Sequence, residues 1–239
     1  MSKLGYRLNA AARALVSQST DTMGVLISDV SDPFLGTLIK PVDNVARENG
    51  KHILIGNGYH NPEDERQALK LLINSRCDAI AIHSKGMSDE GMIGYAKEVK
   101  GMVLINRHIP ELANRCISLD NRKGASLSTE DLIRHGHRKI ACIASAQDIE
   151  DTDERLQGYL DALIEHGIEL PSKVSIAGFN EGLIARFVHP RLTTVRYPIE
   201  MMAERSARVA LALSRNEQVE DETIIFSPTL MRRNSVERY

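Results

Sequence analysis

Side chains able to hydrogen-bond a ligand recur at one kind of place in this sequence. Asp29 and Asp32 follow the apolar run Met23–Ile27, and Asn57 follows His52–Ile55. His83 and Ser84 follow Ala79–Ile82, Asn106 and Arg107 follow Met102–Ile105, and Asp120 and Asn121 follow Cys116–Leu119. Later, Asn180 and Glu181 follow Val174–Ala177, and Arg196 and Tyr197 follow Leu192–Val195. Carboxylates, amides and a guanidinium converging on one edge suit the fixed hydroxyls of a sugar. The same residue types also cap helices and form turns, so any one of them has an equally good bland role.

Chemistry beyond binding finds no support. The histidines are scattered without metal-ligand spacing, and His135-Gly-His137 sits at a helix end, where cations suit the dipole. The glycine patterns of dinucleotide sites, P-loops and nucleophile elbows are absent. Gly56-Asn-Gly58 follows a strand, but no glycine-opened helix comes after it. No metal, cofactor or enzymatic activity is therefore expected.

The elements that must position these residues alternate. The apolar runs, with Ile140–Ile143 as a sixth, lack period-two patterning, as strands buried on both faces should. Helical patterns lie between them. Leu127, Leu132 and Ile133 stripe a helix over 123–135, and Leu156, Leu160, Leu163 and Ile164 stripe one over 153–166. Strong helices are also expected over 62–75 and 199–215. Strand–helix alternation at this spacing predicts a parallel α/β sheet whose ligand edge lies after the strands. The second half is thinner: six strands precede Ser145 and only three follow it (Val174–Ala177, Leu192–Val195, Thr223–Phe226).

Composition agrees with a globular chain. The 239 residues are 42% hydrophobic and 26% charged, with a net charge of -2 that excludes a general polyanion binder. No Trp and few Phe or Tyr leave thin material for a platform stacking single-stranded nucleic acid. No apolar run could span a bilayer, and no secretory leader is visible, so a cytoplasmic protein with no membrane partner is expected. Cys77, Cys116 and Cys142 lie far apart in apolar runs and read as reduced thiols.

The segment Tyr6-Arg-Leu-Asn-Ala-Ala-Ala-Arg-Ala-Leu15 resembles the hinge of the lactose-repressor (LacI/GalR) family of transcription regulators. So do Asp29-Val-Ser-Asp-Pro-Phe34, Leu54-Ile-Gly-Asn-Gly-Tyr-His60, Gly101-Met-Val-Leu-Ile-Asn-Arg107, Arg155-Leu-Gln-Gly-Tyr159 and the segments 189–198 and 226–235, which are similar to galactose-repressor-like members. The resemblance implies a periplasmic-binding-protein-like α/β fold of two flavodoxin-like parallel-sheet lobes with a sugar held between them. It implies residues 1–21 as a hinge remnant, 22–121 plus about 198–222 as one lobe, and 122–197 plus 223–239 as the other. It implies a homodimer, operator DNA as the family's partner, and a galactose-like sugar as effector.

Carried over residue by residue, the ligand contacts are Asp32, Phe34, Asn106, Asp120, Arg155, Asn180 and Tyr197. Arg155 is the main anchor; its bland alternative is an ion pair with Glu154 or Asp151. Phe34 could instead be packing, and Asp120 a helix cap. In the hinge, Asn9, Arg13 and Leu15 are the DNA contacts, Leu15 as the minor-groove wedge.

Departures from the pattern carry their own expectations. No helix-turn-helix head precedes the hinge here, so operator binding by this chain alone is doubtful. Leu8 stands where proline is usual. Near 167–173 one Gly-Ile-x-x-Pro-like stretch serves where the family has two, which predicts an abridged second lobe lacking on the order of 60 residues at roughly 30 per βα unit. Pro41 falls inside a helix over about 35–49 and should kink or restart it. Asn180 replaces an aspartate, keeping one acceptor oxygen without the charge. The expected function is a sugar-responsive transcription regulator's effector-binding and dimerisation core, able to form mixed dimers with a full-length repressor. The competing classes are a transporter's solute-binding protein, disfavoured by the hinge, and a sugar-modifying enzyme.

Overall fold

The computed structural model describes residues 19–138, 140–142, 149–168, 177–180, 185–186 and 191–236. The chain divides into two units. The first comprises residues up to Ser118 together with Ile199–Ile224; the second comprises Leu119–Pro198 and the residues from Ile225 onward.

The first unit is built on strands β1 (Thr22–Ile27), β2 (His52–Asn57), β3 (Ala79–Ile82), β4 (Met102–Ile105) and β5 (Cys116–Leu119). β1 to β5 run parallel in the order β2-β1-β3-β4-β5, and β8 (Ile224–Phe226) extends the sheet beyond β5. This is a doubly wound order, which sets the loops after the strands along one edge. β3 and β4 are buried at every residue, which is why they appear as unbroken apolar runs. The helices α1 (Pro33–Glu48), α2 (Pro62–Asn74) and α3 (Asp89–Glu98) start on side-chain caps. Asp32 accepts from the Phe34 N–H, Asn61 from the Glu63 and Asp64 N–H groups, and Ser88 from Gly91. A 3₁₀ segment, Pro110–Arg115, precedes β5.

The helix expected to kink or restart at Pro41 runs through it as one continuous element. Proline removes one backbone donor. Leu35 and Leu38 before it, and Val42, Val45 and Ala46 after it, are all buried, so one packed stripe spans the defect. The core of this unit joins Leu26, Leu69, Leu72, Ile80, Ile82, Met92, Met102 and Leu104.

The second unit contains α4 (Asn121–Arg134), α5 (Glu150–Glu165), β6 (Gly178–Phe179) and β7 (Thr194–Arg196), and ends on β9 (Thr229–Met231). α6 (Ile199–Ser214) belongs to the first unit. Among the described residues the second sheet is small: β6 lies parallel to β7, and β7 antiparallel to β9. β9 has no counterpart among the expected strands. Ile140–Cys142 is not a strand, contrary to expectation, and Ile143 lies outside the described residues. Ile140 instead packs its side chain with Leu132, Ile133, Tyr159 and Leu163, and its carbonyl accepts from the Tyr159 hydroxyl at 2.7 Å.

α4 and α5 cross closely because Gly158 has no side chain: a Cβ there would lie 2.0 Å from the Arg122 carbonyl oxygen. The expected stripe of α5 is only half buried. Leu163 is enclosed, but Leu156 is 37% and Ile164 76% exposed, while Gly158, Tyr159 and Ala162 face the core. The hinge residues Asn9, Arg13 and Leu15, most of the shortened stretch at 167–173, and Val174–Ile176 lie outside the described residues.

Candidate functional site

In the first unit, the expected contacts sit in the loops after the strands. Asp32 is exposed and its carboxylate is engaged in capping α1. Phe34, in the first turn of α1, is half-buried. Asn106 follows β4, is buried, and holds a left-handed backbone with φ of 55°. Its N–H donates to the Ile117 carbonyl at 2.7 Å, and its own carbonyl accepts from Lys85 Nζ. Asparagine tolerates this conformation better than most residues. Asn57 accepts from the Val30 N–H, tying the loop after β2 to the loop after β1.

The second unit gathers more. Arg155 rises from the first half of α5. Its Nε donates to Asn121 Oδ1 at 2.8 Å, its Nη2 lies 3.6 Å from Asp151, and its guanidinium covers the Phe179 ring at 4.1 Å from the centroid. A stacked, desolvated guanidinium gains cation–π energy of about 1–2 kcal/mol. Burial lowers its proton affinity, and Asp151, Tyr197 and Glu154 oppose that shift. Arginine stays cationic regardless. Tyr197 is buried, and burial reinforced by Asp151 pushes its phenol well above the ordinary range, against the pull of Arg155. It is therefore a neutral hydroxyl at neutral pH. Asn180, the residue after Phe179, has φ of 81°, and its buried Oδ1 meets no hydrogen-bond partner among the described residues. An unmet buried acceptor costs about 1–3 kcal/mol unless a ligand or water supplies the donor.

Arg155, Asn180 and Tyr197 thus share one unit with Arg155 at the centre. The Arg155–Asp151 ion pair, the bland alternative raised by the sequence, is present, and with the Asn121 hydrogen bond it holds one edge of the fork. Asp120 is exposed and accepts from the Lys123 N–H, so it serves as the cap of α4. Asn121 and Phe179 were not among the expected contacts. Asn121 was visible only as a polar residue after a strand, and nothing local in the sequence pairs it with Arg155. Among the described residues no group of three or more histidines, cysteines and carboxylates could hold a metal, and no helix is long and apolar enough to cross a membrane.

Comparison with known proteins supplies the context. Residues 20–181 match the family model described as periplasmic binding proteins and sugar binding domain of LacI family, and residues 149–236 match a periplasmic binding protein-like domain. The chain is 41% identical to the HTH-type transcriptional regulator GalR of Escherichia coli K12, over 99% of this chain and 84% of that one. It is 38% identical to GalS of Salmonella typhimurium LT2, over 98% and 84%. The GalR alignment runs over 290 residues while this chain has 239, so about fifty residues of that relative find no counterpart here. Among solved structures, a sugar-binding LacI-family regulator from Escherichia coli complexed with phosphate has a TM-score of 0.79 at 23% identity, covering 92% of this chain and all of that one. The ascG repressor of Escherichia coli has a TM-score of 0.79 at 23% identity, covering 90% and 99%. The fold is periplasmic-binding-protein-like, and the chain belongs to the LacI/GalR family of transcription regulators.

Proposed function

We propose that the chain is the effector-binding and dimerising core of a galactose-responsive regulator and performs no chemistry on its ligand. The observation that carries this is the Arg155 cluster: a cationic fork oriented by Asn121 and Asp151, seated on Phe179, with a neutral tyrosine hydroxyl beside it. A fixed donor plane suits ring and hydroxyl oxygens of a neutral pyranose, and the acceptor of Asn180, which meets no partner among the described residues, suits a hydroxyl donor. Asp32, Phe34, Asn106 and Asp120 are proposed as further contacts, from the resemblance.

Two further parts belong to the same reading. The chain acts in the cytoplasm as a homodimer and enters mixed dimers with a full-length repressor. In the hinge, Asn9 and Arg13 are proposed as the polar DNA contacts and Leu15 as the apolar minor-groove wedge.

Calorimetric titration with galactose and its epimers tests the reading. Saturable binding is expected, with galactose preferred. A folded chain that takes up none of these sugars would overturn it.

A further inference from the structure

Glu65 is a carboxylate where an ordinary helix would place an apolar residue. It lies in the first turns of α2, is 1% exposed, and sits beneath the loop that follows β3. Its two oxygens accept from the Ser84 hydroxyl and from three successive backbone N–H groups: Lys85 at 3.2 Å, Gly86 at 3.0 Å and Met87 at 2.8 Å. Such a buried acid is costly unless its acceptors are filled, and here a whole loop turns inward to fill them. The chain has made room for it: a Cβ on Gly58 would fall 2.4 Å from Glu65 Cγ.

The loop so held does not end in itself. Lys85 reaches over to the Asn106 carbonyl. Arg107 donates from Nη2 to the Met87 carbonyl at 2.6 Å and to Asp89 at 2.6 Å, closing the loop against the end of β4. Asn106 stands between these two links in its left-handed conformation, on a backbone fixed from the other side by Ile117.

We propose that Glu65 is a positioning residue for sugar recognition: it sets the 84–87 loop, and through Lys85 and Arg107 that loop sets the direction of the Asn106 amide. The inference rests on the reading of Asn106 as a sugar contact. Glu65 touches no sugar itself. It makes the loop after β3 and the loop after β4 one rigid ligand-facing piece, so that affinity and discrimination between epimers depend on a side chain buried in α2.

The test is a double-mutant cycle read by calorimetric titration with galactose and one epimer, at a temperature where every variant is folded. Glu65→Gln keeps the shape and turns one acceptor into a donor facing the loop N–H groups. Asn106→Gly keeps the backbone conformation and removes the amide. Lys85→Met cuts the link while leaving the buried acid intact, which covers the case in which Glu65→Gln does not fold. Glu65→Gln and Lys85→Met are each expected to weaken galactose binding about tenfold and to narrow the gap between epimers. Either change combined with Asn106→Gly should bind no more weakly than Asn106→Gly alone. Unchanged affinity in Lys85→Met, or losses that simply add, would overturn the proposal and leave the sugar reading standing. A folded unaltered chain that binds neither sugar would overturn both.

Discussion

Arg155 shows how an ion pair can fix a guanidinium in place for the contact proposed above. Asp151 and Asn121 occupy one edge of the fork and Phe179 one face, so the guanidinium cannot swing. Lysine would keep the charge but lose both the plane and the stacking. Arg155→Lys is expected to weaken galactose binding at least tenfold while shifting the melting temperature little; calorimetry and a melting curve decide it. A second residue matters for acid stability. Burial raises the Asp78 carboxyl, but Lys51, the Ser19 hydroxyl and the Thr20 N–H outweigh that and hold it below its ordinary value. A depressed carboxyl stabilises the fold fully above the unfolded value near 4, and the contribution fades as pH falls through the folded value. Melting temperatures from pH 7 down to 3 should therefore fall less steeply in Asp78→Asn than in the unaltered chain. Asn121 marks the limit of legibility at this scale. It is close to Arg155 only because α4 and α5 cross, and that crossing depends on Gly158.

Elements were legible where burial is simple. β3, β4 and β5 match their apolar runs to the residue; β3 and β4, covered on both faces, leave no polar position to blur their ends. Ile140–Ile143 has the same composition, but Ile140 is buried beside two helices without joining a ladder; a short apolar run alone cannot distinguish the two. β9, only three residues long, is too short to stand out. In α5, period alone misjudged which face is covered, because the close approach at Gly158 turns Tyr159 and Ala162 inward. Gly158→Ala should cost stability at the upper end of the roughly 1–3 kcal/mol typical of overpacking, read by denaturant melts. The tail motif binds elements as well. Arg232 Nε donates to Asp131, which is 1% exposed, while Arg233 donates to the Leu192 carbonyl and Ser235 accepts from the Thr193 N–H. Arg232→Ala strips a buried carboxylate of its main partner and should cost about 2 kcal/mol in the same melts.

At the level of the whole chain, family membership was readable from motifs spread along nearly its full length; an abridged second unit was expected from a strand count that Ile140–Cys142 and β9 do not follow. The roughly fifty residues without counterpart beside GalR fit that reading. If the chain dimerises as proposed, it should enter mixed dimers with an intact repressor and interfere with it. Coexpression is expected to yield mixed dimers and raised reporter expression; normal repression with no mixed dimer would reject it.

The return of α6 to the first unit carries a consequence for how the protein is made. Gly101, just before β4, lies so close to this helix that a Cβ would sit 2.7 Å from the Ala210 carbonyl oxygen, and eight residues of α6 are buried. A nascent chain emerging from the ribosome can lay down β1 to β5 early, but that sheet keeps an uncovered flank until synthesis has passed Ser214. The amino-terminal half is therefore not a first finished module: it waits, open to chaperones and proteases, until the residues of α6 have been translated.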